Sequence, residues 1–483
     1  MKYPETIPHW IYNERVYSFP VFTKNDPSTG KKLADVQRGN ERTVNDAITS
    51  AEYAYEGWSR MTPIERGRII RKATDLIEAR KEEAVGIVAL ECGKSLKSAR
   101  GEVEATIECG RFISELGKDL GEYVLQSGVP GRRVFYVRQP IGVGALITPF
   151  NNPLAGVAWK SFPALLCGNS VVLKAHEYTP YVPIWFAMVL KDAGVPAGVF
   201  SVIQGFGDEV GLPLVCNQRV LFISFTGSSA TAKRIRREAV ERDVKMLAEG
   251  GGKNPFVVCD DANLDRAVEL AVQSAFIDGG QRCAAASRII VMDGVYDAFK
   301  NKFIELVREL KVGTADSDNY GAIISEKRLV EIERDIFGAV SRGAVVAVRG
   351  MNLYNLNDGV GYFLTPTVLE NVLDNDPISH KEVFGPVAVL YRATTFDDAI
   401  RLANNSVYKL TGAVCTRNQE RQKAFEDQYK AGVVRINGPT HGSESHMPFG
   451  GMSVSGDGWR EPGRAALDFY ADWKQVSYDL VKA

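Results

Sequence analysis

Residues 143–176 read VGALITPFNNPLAGVAWKSFPALLCGNSVVLKAH. Two apolar runs, VGALITPF (143–150) and SVVLKAH (170–176), bracket a longer stretch that opens on Pro153. Neither run alternates apolar with polar residues, so each reads as a strand buried on both faces. Proline suits the first helical position, where its missing N–H would have no partner anyway. Strand, helix and strand in this order form the repeating unit of a parallel α/β sheet. The alternation continues outward with a helix from Thr179, then GVFSVIQG (198–205), a short helix, VLFISFTG (220–227) and a helix through 243.

The pattern then restarts. FVVCD (256–260), a helix across NLDRAVELAVQSAFIDGG, SRIIVMDGV (287–295) and a helix to about 310 read as a second α/β unit, which runs to INGPT near 440. EGGGKNP (249–255) is the junction, and its glycines suit a tight passage. Before the first unit, residues from about 60 to 115 repeat apolar side chains at three- and four-residue steps, as helices do. Two stretches fit neither unit: RRVFYVRQP (132–140) and DFYADWKQVSYDL (468–480), both aromatic and β-branched. They read as a pair of edge strands or as an arm that pairs across subunits. Long exposed edges have to be covered, which favours the arm.

The 483 residues exceed what one core holds. A net charge of −1 gives no general reason to expect nucleic acid or an anionic membrane as partner. The densest basic run, KRIRREAVER (233–242), also carries two glutamates and reads as a solvated helix face. The N-terminus has no apolar signal-peptide core. Seven cysteines with no CxxC pair predict reduced thiols in a cytoplasmic setting. His441 and His446 lie close together without a nearby cysteine, and no metal site is expected there.

Cys283 stands in GGQRCAAAS (279–287), as a nucleophile with space around it or as one more buried thiol. GFGDEVG (205–211) follows a strand and opens a helix, but its GxGxxxG spacing departs from the dinucleotide fingerprint and also suits a plain turn. In FTGSSATAKRI (225–235), Ser228 at a helix N-terminus suits a phosphate, or simply caps the helix. Lys174 and Glu177 end a buried strand, where α/β sheets bind ligands. They suit the ribose of an adenosine, and the carboxylate would repel a 2′-phosphate, which favours NAD over NADP. Glu249 precedes three glycines and reads by itself as an ordinary loop glutamate. The two amides of TPFNNPL (148–154) either cap and turn the chain or aim N–H groups at developing negative charge.

TPFNNP, LKAHE, FTGS, EGGGKNP, GQRC, EVFGP (382–386) and PFGG (448–451) occur in one order. That order and spacing resemble the aldehyde dehydrogenase superfamily, in its NAD(P)-dependent, hydrolytic, non-CoA-acylating form. The resemblance runs from NDPSTGK near residue 25 to the final strand. It implies an α/β fold of two Rossmann-like domains plus a small β oligomerisation arm. The implied NAD-binding domain is 1–121 with 141–249, and the catalytic domain is 250–440. The arm is 122–140 with 466–483, and 441–465 is a substrate-tunnel loop. A homodimer or homotetramer follows.

By the same resemblance Cys283 is the nucleophile, activated by its surroundings. The Asn151 side chain and the Cys283 N–H hold the oxyanion, and Glu249 activates the water that releases the acid. Thr148, Pro149 and Phe150, then Lys174 and Glu177, contact the cofactor. So do Gly207, Phe225, Gly227, Ser228 and Gly250. Glu382 and Phe384 lie at its nicotinamide end. Three departures stand out. Gly250 replaces a usual leucine, Asn152 a common aromatic residue, and Arg282 precedes the cysteine. Asn152 and Arg282 point to a polar or acidic aldehyde, although Arg282 reads equally as a packing residue. A CoA-acylating semialdehyde dehydrogenase typically lacks the glutamate supplied by Glu249. A non-catalytic binding or structural protein has no need of Cys283, Glu249 and Asn151 together. No GxSxG elbow supports a serine hydrolase.

Overall fold

The computed structural model describes residues 3–353 and 361–480. The outermost residues of the expected 1–121 and 466–483 segments, and 354–360 within the expected catalytic domain, lie outside the described residues.

The strand Val143–Ile147 is the hinge of the first sheet. It pairs in parallel with Ser170–Lys174 on one side and Phe222–Thr226 on the other. Phe200–Ile203 and Lys245–Glu249 extend these two sides, again in parallel. Chain order therefore reverses between Val143–Ile147 and Phe222–Thr226, and ligands of such sheets bind in the crevice at that switch point. A hairpin of His9–Ile11 and Glu14–Val16 closes the far edge antiparallel. Val171, Val172 and Leu173 are fully buried, as a doubly covered strand requires. Truncating one such residue to alanine costs about 2–5 kcal/mol.

A second seven-stranded sheet holds, in spatial order, Val345–Val348, Thr367–Glu370, Val387–Ala393, Ala286–Met292, Asn254–Val258, Thr411–Cys415 and Val433–Ile436. Its pairs are parallel except at the Val345–Val348 edge. The two stretches left over by the sequence pattern pair with each other. Arg132–Pro140 and Ala471–Asp479 run antiparallel from Ala471 opposite Pro140 to Asp479 opposite Arg132, and Tyr123–Leu125 adds a third strand. Arg132–Pro140 is therefore the central strand and Ala471–Asp479 an edge, so the reading as a pair of edge strands holds only for the second. Val124, Leu125, Trp473 and Tyr478 remain exposed on this sheet.

The helical stretch expected from 60 to 115 is three helices: Pro63–Ala79, Lys81–Cys92 and Leu96–Glu115. A fourth, Glu41–Arg60, precedes them unforeseen. Its buried face mixes three alanines, Thr43 and Ser50 with Val44, Ile48 and Trp58, which thins the apolar signal. Asn40 starts it by accepting from the Thr43 N–H.

Candidate active site

The crevice at the switch point is a cleft of about 590 Å³, within the usual range for a small-ligand site. All twelve residues expected at the cofactor line it, from Thr148, Pro149 and Phe150 on one wall to Glu382 and Phe384 on the other. Cys283 and Asn151 line it too. Glu249, Asn152 and Arg282 are not among its lining residues.

Cys283 is presented by an unusual backbone. Asp278, Gly279 and Gly280 all have left-handed φ, of 50°, 63° and 68°. For Asp278 this is a strained conformation that the surroundings must impose. The chain then turns, with the Ala285 N–H donating to Arg282 O at 3.0 Å, and enters the strand Ala286–Met292. Asn254 Nδ2 donates to Cys283 O at 2.7 Å. The glycines of EGGGKNP permit close approach here: a Cβ on Gly252 would lie 2.2 Å from Cys283 O, and one on Gly251 2.0 Å from Glu382 Oε2.

The surroundings raise the Cys283 thiol rather than lower it. Burial pushes it up to about 12, and the Glu382 and Glu249 carboxylates add to the rise. Arg282 opposes them without prevailing. A sulfur enclosed by apolar atoms and two acids holds its proton.

Asn151 Nδ2 donates to Gln281 O at 2.9 Å, in the segment that carries the cysteine. A primary amide has two N–H donors, so this bond orients the group and leaves one for an oxyanion. Gln281 is itself fixed: its amide donates to Ala322 O at 3.0 Å and accepts from the Ile324 N–H at 3.0 Å. Asn152 precedes the helix Pro153–Leu166 without capping it through its side chain. Glu102 does so instead, accepting from the N–H groups of Leu154 and Ala155. Asn152 Oδ1 accepts from Lys94 Nζ at 2.9 Å, and Lys94 pairs with Glu102 at 2.6 Å. Arg282 Nε donates to the buried Asp278, whose carboxyl is held below its ordinary value by Arg282 and Lys94 in spite of burial.

Glu249 ends its strand buried, with Oε2 accepting from the Gly451 N–H at 3.0 Å and Oε1 lacking a partner. Burial, then the nearby Glu461, raises its carboxyl well above 4.5. Behind it Lys160 and Glu461 form a buried pair at 2.7 Å. That pair has no local mark in the sequence, because both partners sit in ordinary contexts.

On the cofactor side Lys174 Nζ lies 3.2 Å from Glu177 Oε2. Burial opposes the Glu177 charge, but His176, Lys174 and hydrogen bonds hold it down to about 2. Ser228 caps the helix Ser229–Glu241 by accepting from the Thr231 N–H at 3.2 Å, so the capping reading holds while the residue also faces the cleft. Glu382 Oε1 accepts from the Gly252 N–H at 2.8 Å, and burial raises its carboxyl to about 7. Phe384 has a left-handed φ of 53°, a strained setting for a bulky residue, and faces Phe150 at 5.7 Å. His176, Phe206 and Arg328 also line the cleft and were not foreseen. His176 lies inside the quoted LKAHE, whereas Arg328 sits on an amphipathic helix with no local mark.

A dinucleotide fits these residues. The cleft offers an acid–lysine pair at one end, a helix N-terminus in the middle, and a carboxyl beside two aromatic rings at the other. Among the described residues no group of three His, Cys, Asp or Glu side chains could hold a metal ion, and no helix is long and apolar enough to cross a membrane.

Comparison with known proteins agrees with this geometry. The aldehyde dehydrogenase family model matches residues 17–476. The chain is 36% identical over 471 residues to the α-ketoglutarate semialdehyde dehydrogenase of Haloferax volcanii, covering 97% of each chain. It is 37% identical over 455 residues to the mitochondrial succinate-semialdehyde dehydrogenase of Arabidopsis thaliana, covering 94% of this chain and 85% of that one. Among solved structures it resembles betaine aldehyde dehydrogenase from Staphylococcus aureus in complex with NAD+. That TM-score is 0.94 at 31% identity, covering 99% of this chain and 95% of that one.

Proposed function

This chain belongs to the aldehyde dehydrogenase family, an NAD(P)-dependent oxidoreductase, and on that premise we propose that it oxidises a semialdehyde to the corresponding acid through Cys283. The observation that carries the proposal is the shared cleft, which Cys283, Asn151 and the twelve expected cofactor residues all line.

In this reading the Cys283 sulfur, once deprotonated, attacks the aldehyde carbon. A C–S bond forms and the carbonyl electron pair moves to oxygen. The Asn151 amide and the Cys283 N–H stabilise that oxyanion. Held by Lys174 and Glu177 at one end and Glu382 and Phe384 at the other, NAD(P) would supply the hydride acceptor for the tetrahedral carbon. Cys283 is left as a thioester. Glu249 then takes a proton from water as it attacks the thioester carbonyl, and the sulfur departs as thiolate. Gly450 beside Glu249 leaves its carboxyl room to swing, since a Cβ there would lie 2.6 Å from Oε1. Lys174 and Glu177 hold the adenosine ribose, and the Glu177 charge disfavours a 2′-phosphate, so NAD is the proposed preference.

The acidic group of the substrate is assigned to Arg282, whose Nε is anchored by Asp278 so that its terminal N–H groups are oriented. Two similar proteins are named semialdehyde dehydrogenases, which supports the class. A panel of acidic, aliphatic and aromatic aldehydes, run with NAD+ and NADP+, tests this. Acidic semialdehydes with NAD+ should give the highest kcat/KM. A neutral aldehyde preferred tenfold would sink the substrate class, and loss of the preference in Arg282→Ala would support the assignment.

We also propose that the exposed apolar side chains of the three-stranded sheet, Trp473 on one face and Tyr478 on the other, pack on a second copy of the chain. Light scattering should give a dimer or tetramer, and Trp473→Asp should lower that mass.

A further inference from the structure

The two walls of the cleft meet at Phe150 and Phe384, and they meet again at residues given no role above. The Ser325 hydroxyl donates to the Tyr178 hydroxyl oxygen at 3.2 Å. Tyr178 follows the first-sheet strand Ser170–Lys174, and Ser325 caps the helix Glu326–Ser341 of the second unit. The Ser325 oxygen also accepts from the Arg328 N–H at 3.3 Å. One hydroxyl thus serves both walls, its proton going to Tyr178 and its lone pair to the helix.

Each end of this bridge reaches the cleft lining. The Tyr178 ring stacks on His176 at 5.3 Å and stands edge-on to Phe150 at 5.9 Å. On the other side Arg328, in the helix capped by Ser325, donates to Val383 O at 2.7 Å, between Glu382 and Phe384. Moving Tyr178 disturbs two lining side chains on the first wall. Moving Ser325 disturbs the helix that braces the nicotinamide end of the second.

We propose that Tyr178 is a positioning residue that latches the two walls across the dinucleotide site and sets how long the cofactor stays. The inference rests on the dinucleotide reading of the cleft. A ligand that touches both walls leaves when they part, and the latch opposes parting. Losing one neutral hydrogen bond is worth about a fivefold change in a rate or equilibrium. Phenylalanine at 178 keeps the ring contacts and loses only the bond. Glycine at 325 is nearly as good a helix cap as serine and loses the same bond.

The test is stopped-flow displacement of bound NADH, with NADPH in parallel, followed by fluorescence. It compares the unmodified protein, Tyr178→Phe, Ser325→Gly and the double variant. Each single variant should release the nucleotide about five times faster, and the double variant no faster than Tyr178→Phe alone. Release from Tyr178→Phe at the unmodified rate, or two effects that simply multiply, would overturn the latch. If Tyr178→Phe does not fold, Ser325→Gly decides by the same criterion. Failure of the unmodified protein to take up either nucleotide overturns the dinucleotide reading and the latch with it. Uptake with unchanged release overturns the latch alone.

Discussion

The Glu249 carboxylate and the Gly451 N–H, 202 residues apart in the chain, meet at 3.0 Å. The bond parks one carboxylate oxygen against the PFGG loop, while the other stays buried and unpartnered. In the proposed mechanism this carboxylate swings out towards the thioester. Glu249→Gln keeps the shape and loses the proton acceptor. A rapid burst of about one NADH per Cys283 should survive, and steady turnover should fall about 10²- to 10⁴-fold. Quenched-flow measurement checks this, and undiminished steady turnover would remove Glu249 from the base role.

Glu461 is the second cause, after burial, of the raised Glu249 carboxyl. Removing its charge makes Glu249 easier to ionise, and Lys160, left alone, acts in the same direction. The acidic limb of the kcat–pH profile should therefore move to lower pH in Glu461→Gln, when thioester hydrolysis limits. A limb that stays in place would show that another group governs it.

Glu382 supplies two readouts in the cofactor-free protein. Its charge raises the Cys283 thiol, so Glu382→Gln should speed alkylation of Cys283 by iodoacetamide at pH 8, read peptide by peptide by mass spectrometry. Its own carboxyl lies at about 7 when folded and near 4.5 when exposed. Between those values the folded state binds more protons than the unfolded chain, so stability falls as pH rises through that window. The decline should be flatter in Glu382→Gln, as followed by urea denaturation.

Arg282 carries a structural load besides any role with substrate. Asp278 is buried, and Arg282→Ala leaves its charge short of its main partner. A loss of about 3–5 kcal/mol is expected, and Asp278→Asn in the same chain should recover much of it. Equal stability of Arg282→Ala and the unmodified protein would show that Lys94 alone satisfies the aspartate.

The strands were legible because Val143–Ile147 and Ser170–Lys174 are apolar on both faces, a pattern that only a doubly covered sheet tolerates. The Glu41–Arg60 helix was not, because only Val44, Ile48 and Trp58 are large apolar residues on its buried face. Cys283, Asn151 and Glu249 stand in short recognisable sequences, yet the sequence could not give the protonated resting state of the thiol. That state comes first from burial, to which two acids brought in from residues 249 and 382 add. Arg328 and the Lys160–Glu461 pair escaped notice for the same reason, since their neighbours in space are remote along the chain.

The C-terminal residues are part of the surroundings of Glu249. Gly250 donates to Ser455 O, Glu249 bridges Gly456, and the Tyr470 hydroxyl reaches Ser224 beneath the first sheet. On a ribosome both nucleotide-binding walls emerge before any of these contacts can form. A nascent chain halted short of Ser455 would hold Glu249 without the backbone contacts that fix the end of its strand.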